Sequence, residues 1–225
     1  MKFARRAFAI TWKDLLTERR SKEHLNSLAY FAVLLLFIFQ FAIGPDPARI
    51  REAAPGLLWL SFILTGILGL GRAFQAEQEN ECLEGLLLSP IDREAIFLGK
   101  LLGNTIVMLL LSLFLLPLFA FFYNLDLWRY LPSILVVVFL GIFGFAVVGT
   151  LYSAMTANMR AKELLFPLLL LPLVVPVLLA SVTATQILLE GGSLGKAMRG
   201  LHLLVGFDVI FLVIGLLTFE FVVEE

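Results

Sequence analysis

Six long apolar stretches, at residues 25–43, 57–74, 96–123, 131–155, 164–189 and 201–223, dominate this 225-residue chain. A helix rises about 1.5 Å per residue, so roughly 20 apolar residues cross the hydrocarbon core of a bilayer. Each stretch is about that long. With 60% hydrophobic and 16% charged residues, the chain has too little polar surface to keep such segments in water. Inside lipid every backbone N–H and C=O must be satisfied within the segment, which leaves helices for a chain with this pattern. The expected fold class is therefore an all-α integral membrane protein of six transmembrane helices. No internal repeat, low-complexity tract or soluble domain interrupts it, so residues 25–225 are expected to form one membrane domain.

Residues 1–24 differ. They alternate basic and apolar residues, with no apolar core and no small-residue cleavage site of a secretory signal. On a helix Phe8, Trp12, Leu15 and Leu16 share one face, while Arg5, Arg6 and Lys13 serve a wet side. This predicts an amphipathic helix lying at the membrane interface; a plain topogenic leader is the alternative.

Lys and Arg outside the spans, together with Arg72 and Lys100 at span ends, set the orientation. With the N-terminus inside, the inner segments hold 12 of them, and the outer segments hold five: Arg49, Arg51, Arg129, Lys196 and Arg199. The positive-inside rule then puts both termini in the cytoplasm. Trp59, Tyr123, Trp128 and Tyr130 fall near the expected outer boundary, where amphipathic rings prefer to sit. The net charge of −1 argues against a nucleic-acid partner, and the single cysteine, Cys82, excludes an internal disulfide.

No motif of catalysis or cofactor attachment stands out. The run G-G-S-L-G-K at 191–196 misses the phosphate-binding loop, because Glu190 stands where glycine is needed and Ala197 where a hydroxyl is needed. Any ATP used must be bound by another polypeptide, and the chain is not expected to be an enzyme. There is no C-x-x-C-H, and His24 and His202 fall at opposite membrane faces. Either imidazole is able to ligate haem iron, and either is equally at home as a wet interfacial ring, so haem ligands stay unassigned. Inside the spans the polar residues are few: Gln40, Asn104, Gln186, Asp208 and Glu220. Asp208 lies about seven residues into the last expected span; it reads as a functional acid, or as a shallow one paired with Arg199 or water. Gly99 and Gly103 form a G-x-x-x-G that suggests close helix packing. Pro167, Pro172 and Pro176 make the fifth span either a kinked helix or a re-entrant element, with Pro172 and Pro176 as packing or gating positions.

The segment between the second and third spans, at about 75–95, is the most informative for function. Glu77, Glu79, Glu81 and Glu84 fall on a stretch with no base before Arg93, and Leu83, Leu86 and Leu87 make an apolar stripe that runs into Ser89-Pro90. A short amphipathic helix ended by a proline and wedged between two spans is suited to docking on a soluble partner.

These residues also carry a likeness. The run from Glu79 to Arg93 resembles the cytoplasmic coupling segment of ABC-2-type transporter permeases. With I-G-P-D-P at 43–47, A-P-G-L-L-W at 54–59, C-L-E-G-L-L-L-S-P at 82–90 and L-P-L-V-V-P at 171–176, the chain is similar to the CcmB family, the permeases of the haem exporter of cytochrome c maturation. The resemblance covers most of the chain and fades over residues 190–200 and the last span. It implies six helices, a separate CcmA-type ATPase, the membrane partners CcmC and CcmD, the haem chaperone CcmE and a second permease copy. It also implies a bacterial inner-membrane location, with haem as substrate and ATP acting through the partner. The family's Phe-x-x-Asp element is matched by Phe74 to Glu77, with glutamate in place of aspartate. On this reading Phe74, Glu77, Glu81, Leu83, Glu84, Leu86, Leu87 and Pro90 form the ATPase-docking site. A non-conducting scaffold, and an ABC-2 exporter of a lipid or drug-like cargo, are the alternatives.

Overall fold

A computed structural model describes residues 2–21, 23–71, 92–157, 159 and 162–224. These residues form seven α-helices: α1 (Lys2–Ser21), α2 (Glu23–Ile43), α3 (Pro47–Leu70), α4 (Arg93–Phe122), α5 (Leu131–Thr156), α6 (Lys162–Leu189) and α7 (Leu194–Glu224). A short 3₁₀ turn, Trp128–Tyr130, leads into α5. Six helical segments are long and apolar enough to cross a membrane, as the hydropathy pattern predicted. The protein is an all-α, multi-pass membrane protein.

Two spans begin earlier than expected. The chain turns at Gly44, whose φ of +78° is a left-handed conformation that glycine adopts without strain. Asp46 then caps α3: its Oδ1 accepts the Ala48 N–H at 3.0 Å, and Pro47 occupies the first turn. The second span therefore starts at Pro47 rather than near 57, and the last starts at Leu194 rather than near 201. Both early turns hold charged residues, Arg49, Arg51 and Glu52 in α3 and Lys196 and Arg199 in α7, which made them read as loop.

The earlier start of α3 moves Trp59 in depth. Trp59 lies near the middle of α3 and is 2% exposed, with Nε1 donating to Thr185 Oγ1 at 2.9 Å. It is a core residue, not part of an outer aromatic belt. Tyr123 is also buried, and its hydroxyl donates to the Leu36 carbonyl at 3.2 Å. Trp128 is exposed and Tyr130 partly so.

The helix α5 is the centre of the bundle. It packs against α3, α4, α6 and α7, and its buried residues, from Ile134 to Thr156, cover almost its whole circumference. Lipid tails are as apolar as leucine, so helices in a bilayer associate through close packing and hydrogen bonds rather than by leaving water. The glycines of α5 serve that purpose. A Cβ at Gly141 would strike the Trp59 ring, and one at Gly149 would strike Leu70. The α6 segment is one continuous helix through Pro167, Pro172 and Pro176, so the re-entrant alternative is not what forms. Pro172 and Pro176 lie on its exposed face, away from α5.

Candidate functional site

The eight residues expected to dock an ATPase, Phe74, Glu77, Glu81, Leu83, Glu84, Leu86, Leu87 and Pro90, lie outside the described residues, as does Cys82. What the structure describes is the helices on either side of that segment. The segment leaves α3 at Gly71 and rejoins the bundle at Asp92, the N-cap position of α4. The N-terminal helix α1 is packed against the first turns of α4, beside that point of return.

Small residues allow this contact. Gly99 meets Ala7 and Ile10 so closely that a Cβ there would lie 2.7 Å from Ile10 Cβ and 2.8 Å from the Ala7 carbonyl oxygen. Thr11 Oγ1 donates to the Gly99 carbonyl at 2.9 Å, and Gly103 faces Asp14 across a wider gap. The G-x-x-x-G of α4 is thus a seat for α1; the sequence suggested close packing but did not show the partner.

Charge fixes the same seat. Lys100, only 3% exposed, places its Nζ 3.2 Å from Asp14 Oδ2, and Arg6 bonds Asp92 at 3.0 Å. The Arg6 pair is solvated and contributes little, about 0–1 kcal/mol. The Lys100 pair is enclosed, so removing one partner costs more than the pair itself adds. At the far end of α1, His24 Nδ1 lies 2.7 Å from Glu18. With Ala7, Ile10, Thr11 and Asp14 turned to α4, Phe8 and Trp12 stay exposed and stack with centroids 6.4 Å apart. The amphipathic face predicted for residues 1–24 is present; between it and the wet side lies a third face, committed to α4.

Polar groups within the spans fall into two kinds. Asn104 Nδ2 donates to Thr150 Oγ1 at 2.9 Å and ties α4 to α5. Gln186 donates to Glu190 Oε1 at the C-terminal end of α6, and Arg93 Nη1 donates to the Glu220 carbonyl at 3.4 Å. Asp208 is different. It is 5% exposed, and neither carboxylate oxygen has a hydrogen-bond partner. It sits about 21 Å along α7 from Leu194, near the midpoint of the helix, at about 1.5 Å per residue. It is neither shallow nor paired with Arg199, which is exposed. His202 is exposed, and among the described residues no group of three or more His, Cys, Asp or Glu side chains is placed to hold a metal ion.

A small apolar cavity of about 10 Å³ lies between α3, α4, α5 and α6, lined by Trp59, Phe62, Met108, Phe145 and Val177 among others. It has room for about one water molecule and offers nothing polar to hold it.

The family model described as CcmB protein matches residues 5–224. The chain is 32% identical over 173 residues to heme exporter protein B of Pseudomonas aeruginosa, covering 77% of each chain. It is 35% identical over 152 residues to heme exporter protein B of Rhodobacter capsulatus, covering 68% of this chain and 69% of that one. Heme exporter protein B of Haemophilus influenzae is 29% identical over 164 residues, 72% of each chain.

Proposed function

The chain belongs to the CcmB protein family, and from that footing we propose that it is the permease subunit of a haem exporter serving c-type cytochrome biogenesis. The observation that carries this is the match over residues 5–224, which runs through all six spans, together with relatives named heme exporter protein B. ATP is hydrolysed by a separate CcmA-type subunit that docks on residues 75–95 through Phe74, Leu83, Leu86, Leu87 and Pro90. Glu77, Glu81 and Glu84 orient that encounter. Rim charges mainly steer docking, and buried apolar side chains supply most of the affinity. The ATP cycle drives haem handover or the release of haem-loaded CcmE, with CcmC and CcmD as membrane partners and a second copy completing the transporter. The chain lies in the bacterial inner membrane with both termini in the cytoplasm.

Deleting the gene and staining membranes for covalently attached haem tests the reading. Loss of holo-cytochromes c, restored by wild type and not by Leu86→Glu, is expected. Unchanged staining in the deletion strain would overturn it and leave an ABC-2 permease of another cargo.

One observation favours a second reading, a scaffold that conducts nothing. Polar side chains inside the spans are few: Gln40, Asn104, Gln186, Asp208 and Glu220. Cytochrome assembly that survives a catalytically dead ATPase partner would support the scaffold; its loss would support the driven exporter.

A further inference from the structure

Hydroxyl groups inside this bundle follow a rule. Ser61, Thr105, Thr156, Thr183 and Thr218 each donate to the carbonyl four residues earlier in their own helix, at 2.7 to 2.8 Å. That is the cheapest way to satisfy a hydroxyl where water is absent. Ser181 of α6 breaks the rule: it is fully buried and its Oγ has no partner. Thr65 of α3 breaks it too, and Asp208 of α7, a carboxyl rather than a hydroxyl, has two unpaired oxygens. Gln40 and His24 also leave one buried atom each unpaired. Ser181 and Asp208 are set apart by where they point.

Both converge on one face of α5. A Cβ on Gly141 would lie 2.6 Å from Ser181 Oγ, and a Cβ on Gly144 would overlap Asp208 Oδ1. Positions three apart on a helix are neighbours, roughly 5–6 Å between Cβ atoms. The hydroxyl and the carboxyl therefore lie about one turn apart against the same bare backbone, and no α5 side chain stands at either glycine. One is a donor without an acceptor, the other an acceptor without a donor. Leaving either unpaired in a dry site is costly, and an acid at mid-membrane is among the most expensive residues to place there.

We propose that Ser181 and Asp208 are the two halves of a hydrogen bond that a second arrangement of α6 and α7 on α5 closes, making the glycine face of α5 the track of a two-state joint. In the arrangement described here the bond is open, and the unpaired groups raise the energy of that arrangement. A small turn of α7 along the track brings the carboxyl to the hydroxyl and satisfies both. Interfaces of this kind are bistable rather than continuously deformable, and a moderate energy gap is what allows an outside event to reverse them.

The test uses the full chain in lipid nanodiscs, with Cys82→Ser to remove the native thiol. In the pair Ser181→Cys with Asp208→Cys, mild oxidation is expected to give an intrachain disulfide, identified by mass spectrometry of the linked peptides. Each single cysteine should give none. If the pair does not fold, Ser181→Ala, Asp208→Leu and the double variant decide by their melting temperatures: a bond that the two groups share makes the two shifts non-additive. Thiols that stay unlinked in the folded pair, or shifts that simply add, would overturn the joint.

Discussion

Gly99 has no room for even one more carbon. A methyl group there would press on the backbone of α1 as well as on Ile10, and a backbone atom cannot swing aside. Overpacking of this kind costs about 1–3 kcal/mol, so Gly99→Ala is expected to loosen α1 from α4. Limited trypsin digestion reads this directly: exposed Arg19 and Arg20 should be cut faster in the variant. Asp14→Ala acts on the same contact by charge. It withdraws the carboxylate that enclosed Lys100 reaches, and a broken buried pair costs up to about 3–5 kcal/mol; Asp14 is itself partly solvated, which places the loss toward the lower end. Thermal unfolding should show Asp14→Ala as more harmful than Arg6→Ala, whose partner Asp92 is half in water. At mid-bundle, Gly144→Ala should be destabilising alone and better tolerated together with Asp208→Ala, because the second change removes the atom that the new methyl meets. The sequence made Gly99, Gly103 and Asp208 visible as residues of interest. It left their partners hidden, since those lie on helices distant in the chain.

At the scale of elements, boundaries depended on capping chemistry that hydropathy does not weigh. The Asp46-Pro47 pair starts α3 among charged residues, where an apolar window sees only a loop. Asp46→Ala removes the oxygen that accepts the Ala48 N–H and should cost about 1 kcal/mol, read as a lower melting temperature in detergent. The missed start had a further effect: with α3 ten residues longer at its N-terminal end, Trp59 moved from the expected boundary to the core. The long prolyl helix α6 was legible as a kinked or re-entrant span, and sterics alone did not choose between them. The continuous helix places Pro172 and Pro176 on an exposed face. We expect Pro172→Ala and Pro176→Ala to leave melting unchanged or higher while lowering haem delivery if these prolines serve a gate; unchanged haem delivery would mark them as packing residues.

For the whole molecule, six uninterrupted apolar runs made the architecture legible, because lipid allows so few ways to satisfy a backbone. The order of packing was not, since every span is apolar on all sides and no stripe singles out α5 as the centre. Orientation is open to a simple check with the one native thiol. Cys82 is expected to react with an impermeant maleimide in inverted membrane vesicles and not in intact spheroplasts; the reverse pattern would turn the proposed topology over. The burial of Trp59 has an optical consequence. Trp12 and Trp128 are exposed, whereas Trp59 is enclosed and bonded to Thr185, one turn along α6 from Ser181, with its ring against Gly141. Replacing the two exposed indoles with phenylalanine would leave a chain whose whole tryptophan emission comes from one ring beside the α5 track. Such a chain carries its own lamp, and its colour and quenching would follow the bundle without any attached dye.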